Sequence, residues 1–248
     1  MSANLMSLAQ SGGKFLKLFG DRKMVKTMPT ARDYVQDGLI AMWDGIENAG
    51  FGIHDSGAGA WKDLVGSNDC TPKDSTFRWT SDGFVCNGLG LQSAHSMSFK
   101  SVEVVVDIAK SDQKTTYCPI FGSLENGNAK GIFWLPSLNL LRFYSGSSKS
   151  WNTNNADRLI GTYSAVNISM SSTVMYNDGA EKPLSTYGYW NNVGYSADTF
   201  KIGGTLSSHE CIGTIKCVRV YDSVLTQTQI AANYAIDKAR FNLPDKTI

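Results

Sequence analysis

Two carboxylates on one short stretch are the first candidates for chemistry. Glu103 and Asp107 enclose three valines in the segment EVVVD. Glycosidases use such a pair, one carboxylate as nucleophile or base and the other as acid. A separation of four residues places both side chains on one strand face but about 13 Å apart, whereas glycoside hydrolysis needs ~5 to 9.5 Å. The spacing argues against a hydrolase of this type, and we predict no catalytic residues.

The three histidines give no better catalytic site. His54 and His95 have no recognisable partner nearby, and His209 lies in the triplet His-Glu-Cys. On a strand His209 and Cys211 would share a face while Glu210 points away, so we interpret that pair as structural. The nucleophile elbow, the zinc-protease motif and the nucleotide-binding glycine motifs are missing from the sequence. We therefore predict a non-enzymatic protein without a cofactor.

Four acidic residues surround a glycine-rich stretch at residues 48–59. They are Asp44, Asp55, Asp63 and Asp69. Calcium takes several oxygen ligands, but the D-x-[DN]-x-[DN]-G pattern of a calcium loop is missing. We favour ordinary turn-forming aspartates and predict no metal site, with calcium binding as the alternative.

Two polar tracts carry aromatic side chains beside asparagines. Residues 145–155 read SGSSKSWNTNN and residues 187–195 read YGYWNNVGY, and both are predicted to be loops. Sugar sites stack rings on Trp or Tyr and bind hydroxyls through amide groups. The candidate glycan-binding residues are Trp151, Asn152, Tyr187, Tyr189, Trp190 and Asn191. Alternatively, these aromatics pack under their own loops or in an oligomer interface.

The spacing of apolar residues predicts a mainly β chain. Val102 to Ala109 alternates apolar and polar positions, which indicates an antiparallel strand with one face in water. Residues 77–80 and 83–87 are predicted to form a hairpin. Further strands are predicted at residues 38–43, 119–122, 131–135, 138–144, 165–170, 174–176, 199–202 and 212–221.

A short helix is predicted after the last strand. Thr226 can cap the amide of Gln229 while the Gln229 side chain reaches back, and Leu225 can pack on Ile230. The buried side is predicted to carry Ile230, Tyr234 and Phe241, and the solvent side Gln227, Asp237 and Lys238.

Length and composition fit one β-sandwich domain. The chain has 248 residues, 42% of them hydrophobic, with 24 glycines, and all-β domains of this size are common. The five cysteines are an odd number without C-x-x-C spacing. We predict unpaired, buried thiols, with a Cys70–Cys86 disulfide as the alternative.

Two segments carry a family resemblance. Residues 212–241 read IGTIKCVRVYDSVLTQTQIAANYAIDKARF, and residues 34–65 read YVQDGLIAMWDGIENAGFGIHDSGAGAWKDLV. They resemble the end and the beginning of concanavalin A-like, laminin-G-like jelly rolls found in phage and prophage structural proteins. The resemblance implies an antiparallel β-sandwich with a short C-terminal helix at residues 33–248, behind an extended tail at residues 1–32.

The tail is the candidate docking segment. Residues 1–28 carry five basic side chains against one acidic one, and the apolar contact would be Phe15, Leu16, Leu18 and Phe19. A floppy tail and a membrane-surface helix are the alternatives. The sequence has neither the order of a signal peptide nor an apolar run of transmembrane length. The net charge of +1 gives no reason to expect nucleic-acid binding.

These features together lead to one expectation and one alternative. The expectation is a virion structural or decoration protein of a phage, of the head or tail-fibre type, assembled in the host cytoplasm. It would be homo-oligomeric, would contact other virion proteins through its tail, and would bind host-surface or mucus glycans. The alternative is an exported bacterial carbohydrate-binding or adhesion module, which a disulfide would favour.

Overall fold

The computed structural model describes residues 28–72, 77–88, 90–125, 128–145, 147–153, 156–166, 168, 172–189, 199–204 and 210–245, with backbone only at 94, 123–125, 128–130, 145, 147–149 and 186–189. The predicted docking residues Phe15, Leu16, Leu18 and Phe19 lie outside these ranges. The strands are β1 Leu39–Asp44, β2 Cys70–Pro72, β3 Arg78–Thr80, β4 Gly83–Gly88, β5 Leu91–Ser96, β6 Ser101–Ala109, β7 Cys118–Glu125, β8 Asn128–Leu135, β9 Leu140–Ser145, β10 Ser147–Asn152, β11 Arg158–Val166, β12 Val174–Asn177, β13 Ala180–Lys182, β14 Ser185–Tyr189, β15 Thr199–Ile202 and β16 Cys211–Tyr221. One α-helix, α1 Gln227–Arg240, follows them, and 3-10 turns lie at Ala31–Asp33, Lys110–Asp112 and Pro136–Leu138.

The strands form two antiparallel sheets packed as a sandwich, which confirms the predicted fold class. Sheet A has the order β13-β12-β11-β6-β16-β4-β3, with β1 also paired to β16. Sheet B has the order β14-β10-β9-β8-β7-β15-β5-β2. The predicted β3–β4 hairpin is confirmed by direct pairing of Thr80 with Gly83.

The core lies between the sheets and is rich in aromatic rings. The Trp43 ring lies 5.2 Å from that of Phe200 and 6.5 Å from that of Phe121 between centroids. Val104 of β6 and Val218 of β16 pack into the same cluster. Because side chains alternate along a strand, their neighbours point to the outer face of sheet A.

Two predicted loops are strands, and one predicted strand is displaced. The serine-rich tract contains β10 and the second tract begins within β14, and these two strands pair with each other. The polar composition of the serine-rich tract conceals its strand, because local β preference is weak there and the pairing of β10 with both β9 and β14 determines it. The strand predicted at 165–170 begins earlier, as β11, because Thr162 and Ser164 face buried acceptors rather than water.

Helix α1 covers part of the outer face of sheet A. Its capping box is confirmed. The backbone amide of Gln229 donates to Thr226 Oγ1, and the backbone amide of Thr226 donates to Gln229 Oε1. The prediction of a wet face on β6 is wrong for Glu103 and Val105, which are fully buried. None of the helices in the described ranges combines the length and apolar character needed to cross a bilayer.

The predicted solvent position of Asp237 is also wrong. Its carboxylate accepts two bonds of 2.7 Å from the Arg219 guanidinium, and both side chains are completely buried. Thr162 and Tyr34 donate to the same carboxylate at 2.8 and 2.7 Å. The helix is therefore fixed to the sheet by a buried polar network as well as by apolar contacts such as Ile230.

The expectation of unpaired cysteines is wrong for two of the five. Cys118 of β7 and Cys211 of β16 form a disulfide, with 4.4 Å between their Cα atoms and a sequence separation of 93. The bond joins sheet B to sheet A. Cys70, Cys86 and Cys217 are free and buried, so the alternative Cys70–Cys86 bridge is not formed.

Candidate functional site

A polar groove lies on the part of sheet A that helix α1 leaves open. Its cavity has a volume of about 550 Å³, which is within the usual range for small-molecule sites. The lining residues that bear polar side chains are Arg78, Thr80, Asn87, Asp107, Asp112, Arg158 and Thr214. Most of them point outward from strands whose alternate residues, such as Phe84 and Val106, fill the core.

Strand register arranges these side chains in two rows across the sheet. In the first row Arg78 pairs with Val85, Val85 with Thr214, and Thr214 with Asp107. In the second row Asn87 pairs with Ile212. Neighbouring strands lie about 4.8 Å apart, so each row presents one side chain per strand spacing.

The second row continues at the far side of the groove with the pair of Ala109 and Arg158. Arg158 and Asp107 form a bidentate ion pair there: Nη2 donates to Oδ2 at 2.7 Å, and Nε donates to Oδ1. The hydrogen bonds that Arg158 donates to the Asp107 carboxylate raise the pKa of Arg158. The Arg158 side chain remains 58% exposed and that of Asp107 19%. Donors and acceptors are therefore adjacent and in contact with solvent.

A side-chain amide holds the floor of the groove together. The direct pairing of β6 with β16 begins at Asp107 and Thr214. Beyond that point Gln113 bridges the strands, since its Nε2 donates to the carbonyls of Ala109 at 2.9 Å and Ile212 at 2.6 Å. Its Oε1 accepts the Ile212 amide at 3.1 Å.

The segment that carries Gln113 is secured again further along the chain. The Thr115 hydroxyl lies 2.7 Å from the Tyr117 carbonyl and 3.2 Å from the Glu210 carbonyl and can donate to either of them. The Cys118–Cys211 disulfide follows next to the lining residue Ile212. This edge of the groove is thus built by a strap, residues 110–118, that crosses from sheet A to sheet B.

The two carboxylates considered for catalysis have different environments. Glu103 is buried and accepts bonds from Ser164 at 3.0 Å, Arg219 at 3.0 Å and Asn233 at 2.6 Å. Burial raises its pKa, and the nearby Arg219 opposes that shift. Asp107 faces the groove and pairs with Arg158. The two carboxylates do not face a common solvent-filled site.

The acidic residues near the glycine-rich stretch bind backbone amides. Asp63 accepts from the amides of Met42 and Val65 at 3.0 Å each, and Asp44 accepts from the amide of Ile46 at 2.9 Å. Asp44 also pairs with Arg240 at 2.8 Å. Within the described ranges, His, Cys, Asp and Glu side chains form no group of three arranged to hold a metal ion.

Two of the predicted glycan-binding residues, Trp151 and Asn152, lie on β10 of sheet B, away from the groove. Trp151 is half-buried on β10 and packs near Tyr163, with 6.1 Å between ring centroids. The Lys182 ammonium lies 5.5 Å from the Trp151 ring centre. Asn152 is exposed at the end of β10.

The second tract is placed in part. The backbones of Tyr187 and Tyr189 pair with Ser148 and Ser147. The structure thus brings the two tracts together at an edge of sheet B. Trp190 and Asn191 lie outside the described residues, as does His209. The glycan-binding role of these residues stays a prediction.

Sequence reasoning found Asp107 but missed the rest of the groove. Arg78 and Asn87 lie on the two strands of one hairpin, whereas Arg158 and Thr214 come from strands far away in the sequence. The available signal was the alternation of these polar residues with core residues along β3, β4, β11 and β16. That alternation identifies an outward face but does not show which outward faces are adjacent.

Comparisons with known proteins support the fold. The sialidase of Trypanosoma rangeli in complex with 2,3-difluorosialic acid matches with a TM-score of 0.55 and 16% identity, over 85% of this chain and 34% of that chain. The same sialidase with sialic acid gives a TM-score of 0.53 and 17% identity, again over 85% and 34%. This chain therefore spans about a third of the sialidase chains.

A second similarity covers an entire domain. Domain 4 of AbnA, a GH43 extracellular arabinanase from Geobacillus stearothermophilus, in complex with arabinotriose, matches with a TM-score of 0.50 and 18% identity. The match covers 79% of this chain and 98% of that chain. No protein-family model and no curated protein matches the sequence. At these identities the similarities establish a shared β-sandwich fold.

Proposed function

We propose that the β-sandwich is a non-catalytic carbohydrate-binding module and that the polar groove on sheet A is its binding site. The observation that carries the proposal is the groove itself. Sugar hydroxyls both donate and accept hydrogen bonds, and Asp107 with Arg158 offers acceptors and donors side by side. Asn87 and Thr214 supply neutral partners on the neighbouring strands. Hydrogen bonds that involve a charged group are about twice as strong as neutral ones.

Two features support the non-catalytic part of the proposal. Glu103 is occupied by three donors inside the sandwich. Of the two carboxylates that line the groove, Asp107 and Asp112, Asp107 is held in a bidentate ion pair with Arg158. Glycoside hydrolysis by the usual route needs two carboxylates on either side of one bond. Domain 4 of AbnA was solved in complex with arabinotriose, which makes arabino-oligosaccharides a reasonable first ligand series.

The disulfide favours the exported alternative over assembly in a cytoplasm. Disulfides persist mainly in oxidising compartments, and Cys118–Cys211 connects the two sheets beside the groove. The phage virion role, including docking through residues 1–32 and homo-oligomer formation, stays a prediction from the sequence resemblance. The carbohydrate-binding reading has the better support.

A glycan array followed by calorimetric titration tests the proposal. We expect the full chain to bind at least one glycan, and Arg158→Ala or Asn87→Ala to weaken binding about tenfold or more. Asn152→Ala is the matched control, because Asn152 belongs to the other candidate site at the edge of sheet B. Circular dichroism checks that each variant folds.

Other results would contradict the proposal in separate ways. Binding lost in Asn152→Ala but kept in Asn87→Ala would move the site to the β10–β14 edge. Failure to bind any glycan would overturn the proposed function. Release of shorter sugars from a bound oligosaccharide, abolished by Asp107→Asn, would show that the module is catalytic.

A further inference from the structure

The polar side chains of the groove are spread across five strands of sheet A. Arg78 lies on β3, Asn87 on β4, Thr214 on β16, Asp107 on β6 and Arg158 on β11. These strands are consecutive in the sheet. Four strand spacings of about 4.8 Å separate the two outer strands by roughly 19 Å. A single sugar ring, which spans about one such spacing, can contact only two neighbouring strands.

The two ends of the groove offer different chemistry. At the β11 end Arg158 is neutralised by its bidentate partner Asp107, and Asp112 lies close by in the lining. At the β3 end Arg78 is exposed and makes no hydrogen bond or ion pair with the described part of the chain. The β11 end therefore holds paired donors and acceptors, whereas the β3 end holds an exposed guanidinium that no described side chain neutralises.

The middle of the groove has fewer polar side chains than its two ends, which suits it to the interior units of an oligosaccharide. Between the two arginines the first row presents Val85 and Thr214, and the second row presents Asn87, Ile212 and Ala109. Apolar and small side chains alternate there with single polar groups. A sugar unit over this region can make one hydrogen bond and rest its ring carbons on an apolar side chain.

We infer that the groove binds an extended oligosaccharide of at least three units, which lies across the strands from Arg158 to Arg78. This inference rests on the proposed function and specifies its ligand. The Arg158–Asp107 pair anchors one unit, Asn87 and Thr214 contact the interior, and Arg78 donates to a unit at the far end. Arg78 then contacts only ligands long enough to reach the far end of the groove, while Arg158 contributes to the binding of every ligand.

The test measures affinity against ligand length in wild type and two variants. Linear arabino-oligosaccharides from arabinose to arabinopentaose are titrated by calorimetry, and the same size series of any other glycan that the array identifies is titrated in parallel. For the wild type we expect affinity to rise about tenfold or more from the single sugar to the trisaccharide and then to level off beyond the tetrasaccharide.

The variants separate the two ends of the groove. Arg78→Ala should weaken binding of the tetrasaccharide by about tenfold while changing disaccharide binding less than about twofold. Arg158→Ala should weaken binding at every length. Arg32→Ala is the matched control, because Arg32 is an exposed arginine that stacks on Phe51 away from the groove, and it should change neither affinity nor length dependence.

The outcomes distinguish this inference from the function on which it rests. Equal affinity for the single sugar and the tetrasaccharide, or an Arg78→Ala effect that is the same at every length, would overturn the extended-ligand inference while carbohydrate binding stood. Absence of binding to every glycan on the array would overturn the proposed function itself.

Discussion

Arg219 is the buried cation between helix α1 and sheet A. Its guanidinium bonds Asp237 twice and Glu103 once, and it lies 4.1 Å from the centre of the Tyr34 ring. All three charged side chains are excluded from water. A buried charge is tolerated only where a partner compensates it, so each member of this set depends on the others.

Replacing Arg219 by an uncharged residue tests whether Glu103 and Asp237 depend on its charge. Arg219→Met leaves Glu103 and Asp237 buried without a counter-charge, so we expect the free energy of unfolding at neutral pH to fall by about 3–5 kcal/mol. Urea denaturation followed by fluorescence measures the change. Arg158→Met is the matched control: the Arg158 side chain of its ion pair is 58% exposed, and the loss of a solvent-screened pair should cost at most ~1 kcal/mol. Equal losses in the two variants would contradict the buried-network account.

Glu103 gives the network a defined pH dependence. Burial raises its pKa above the ordinary value of 4.5, more than Arg219 and the hydrogen bond from Asn233 lower it. The folded chain therefore holds this proton more tightly than the unfolded chain. The stability contributed by the protonated group is complete below about pH 4.5 and is lost as the pH rises through the folded-state pKa.

The expected consequence is a smaller pH slope in Glu103→Gln. Between about pH 4 and about pH 7, wild type should lose more unfolding free energy than this variant, because the variant has no proton to lose at this position. Urea titrations at each pH measure both slopes. Glu181→Gln, an exposed change on β13, controls for the general effect of removing a carboxylate. Identical slopes in wild type and Glu103→Gln would show that Glu103 does not titrate in this range.

At the scale of elements, helix α1 combines a local signal with long-range attachment. Thr226 and Gln229 cap one another within four residues, which is why the start of the helix could be predicted. Thr226→Ala should lower the unfolding free energy by ~1 kcal/mol because it leaves the Gln229 amide without its acceptor. A thermal melt monitored by circular dichroism checks this, and Gln227→Ala at the exposed neighbouring position is the control. A stability equal to wild type would mean that solvent replaces the cap.

The sequence predicts that most of the strands exist, but it does not predict which elements pack against each face of a strand. The alternation in β6 shows two faces, and only the fold determines that α1 covers Glu103 and Val105 while Asp107 stays open. Glu103 and Arg219 are 116 residues apart, so no local spacing relates them. The same limit applies to the groove, because Arg78 and Arg158 become part of one site only through the strand order of sheet A.

The strands β10 and β14 show a second limit of prediction from the sequence. β10 has few of the β-branched and aromatic residues that mark a strand, and its pairing with β9 and β14 in sheet B supplies what local preference does not. The aromatic residues of these tracts were predicted as a sugar site from composition alone. Composition identified side chains that can contact sugars, whereas depth and shape depend on how sheets A and B pack.

At the scale of the whole molecule, the disulfide gives a countable prediction. Protein folded under oxidising conditions and then denatured without reductant should react with three equivalents of a thiol reagent, for Cys70, Cys86 and Cys217. After reduction it should react with five, the total in the sequence. Before denaturation the reaction should be slow, because burial raises the pKa of the Cys70 and Cys217 thiols. Cys70→Ser should give two and four equivalents, and five equivalents without reduction would show that the bridge is not formed.

The contact between Arg240 and Pro29 has a further consequence for how such a domain can be connected. Arg240 Nη1 donates to the Pro29 carbonyl at 2.8 Å, so the entry and exit of the sandwich meet at one pole. Domains whose ends meet tolerate insertion and circular permutation. The sandwich is thus suited to being carried as an insert in a loop of another protein.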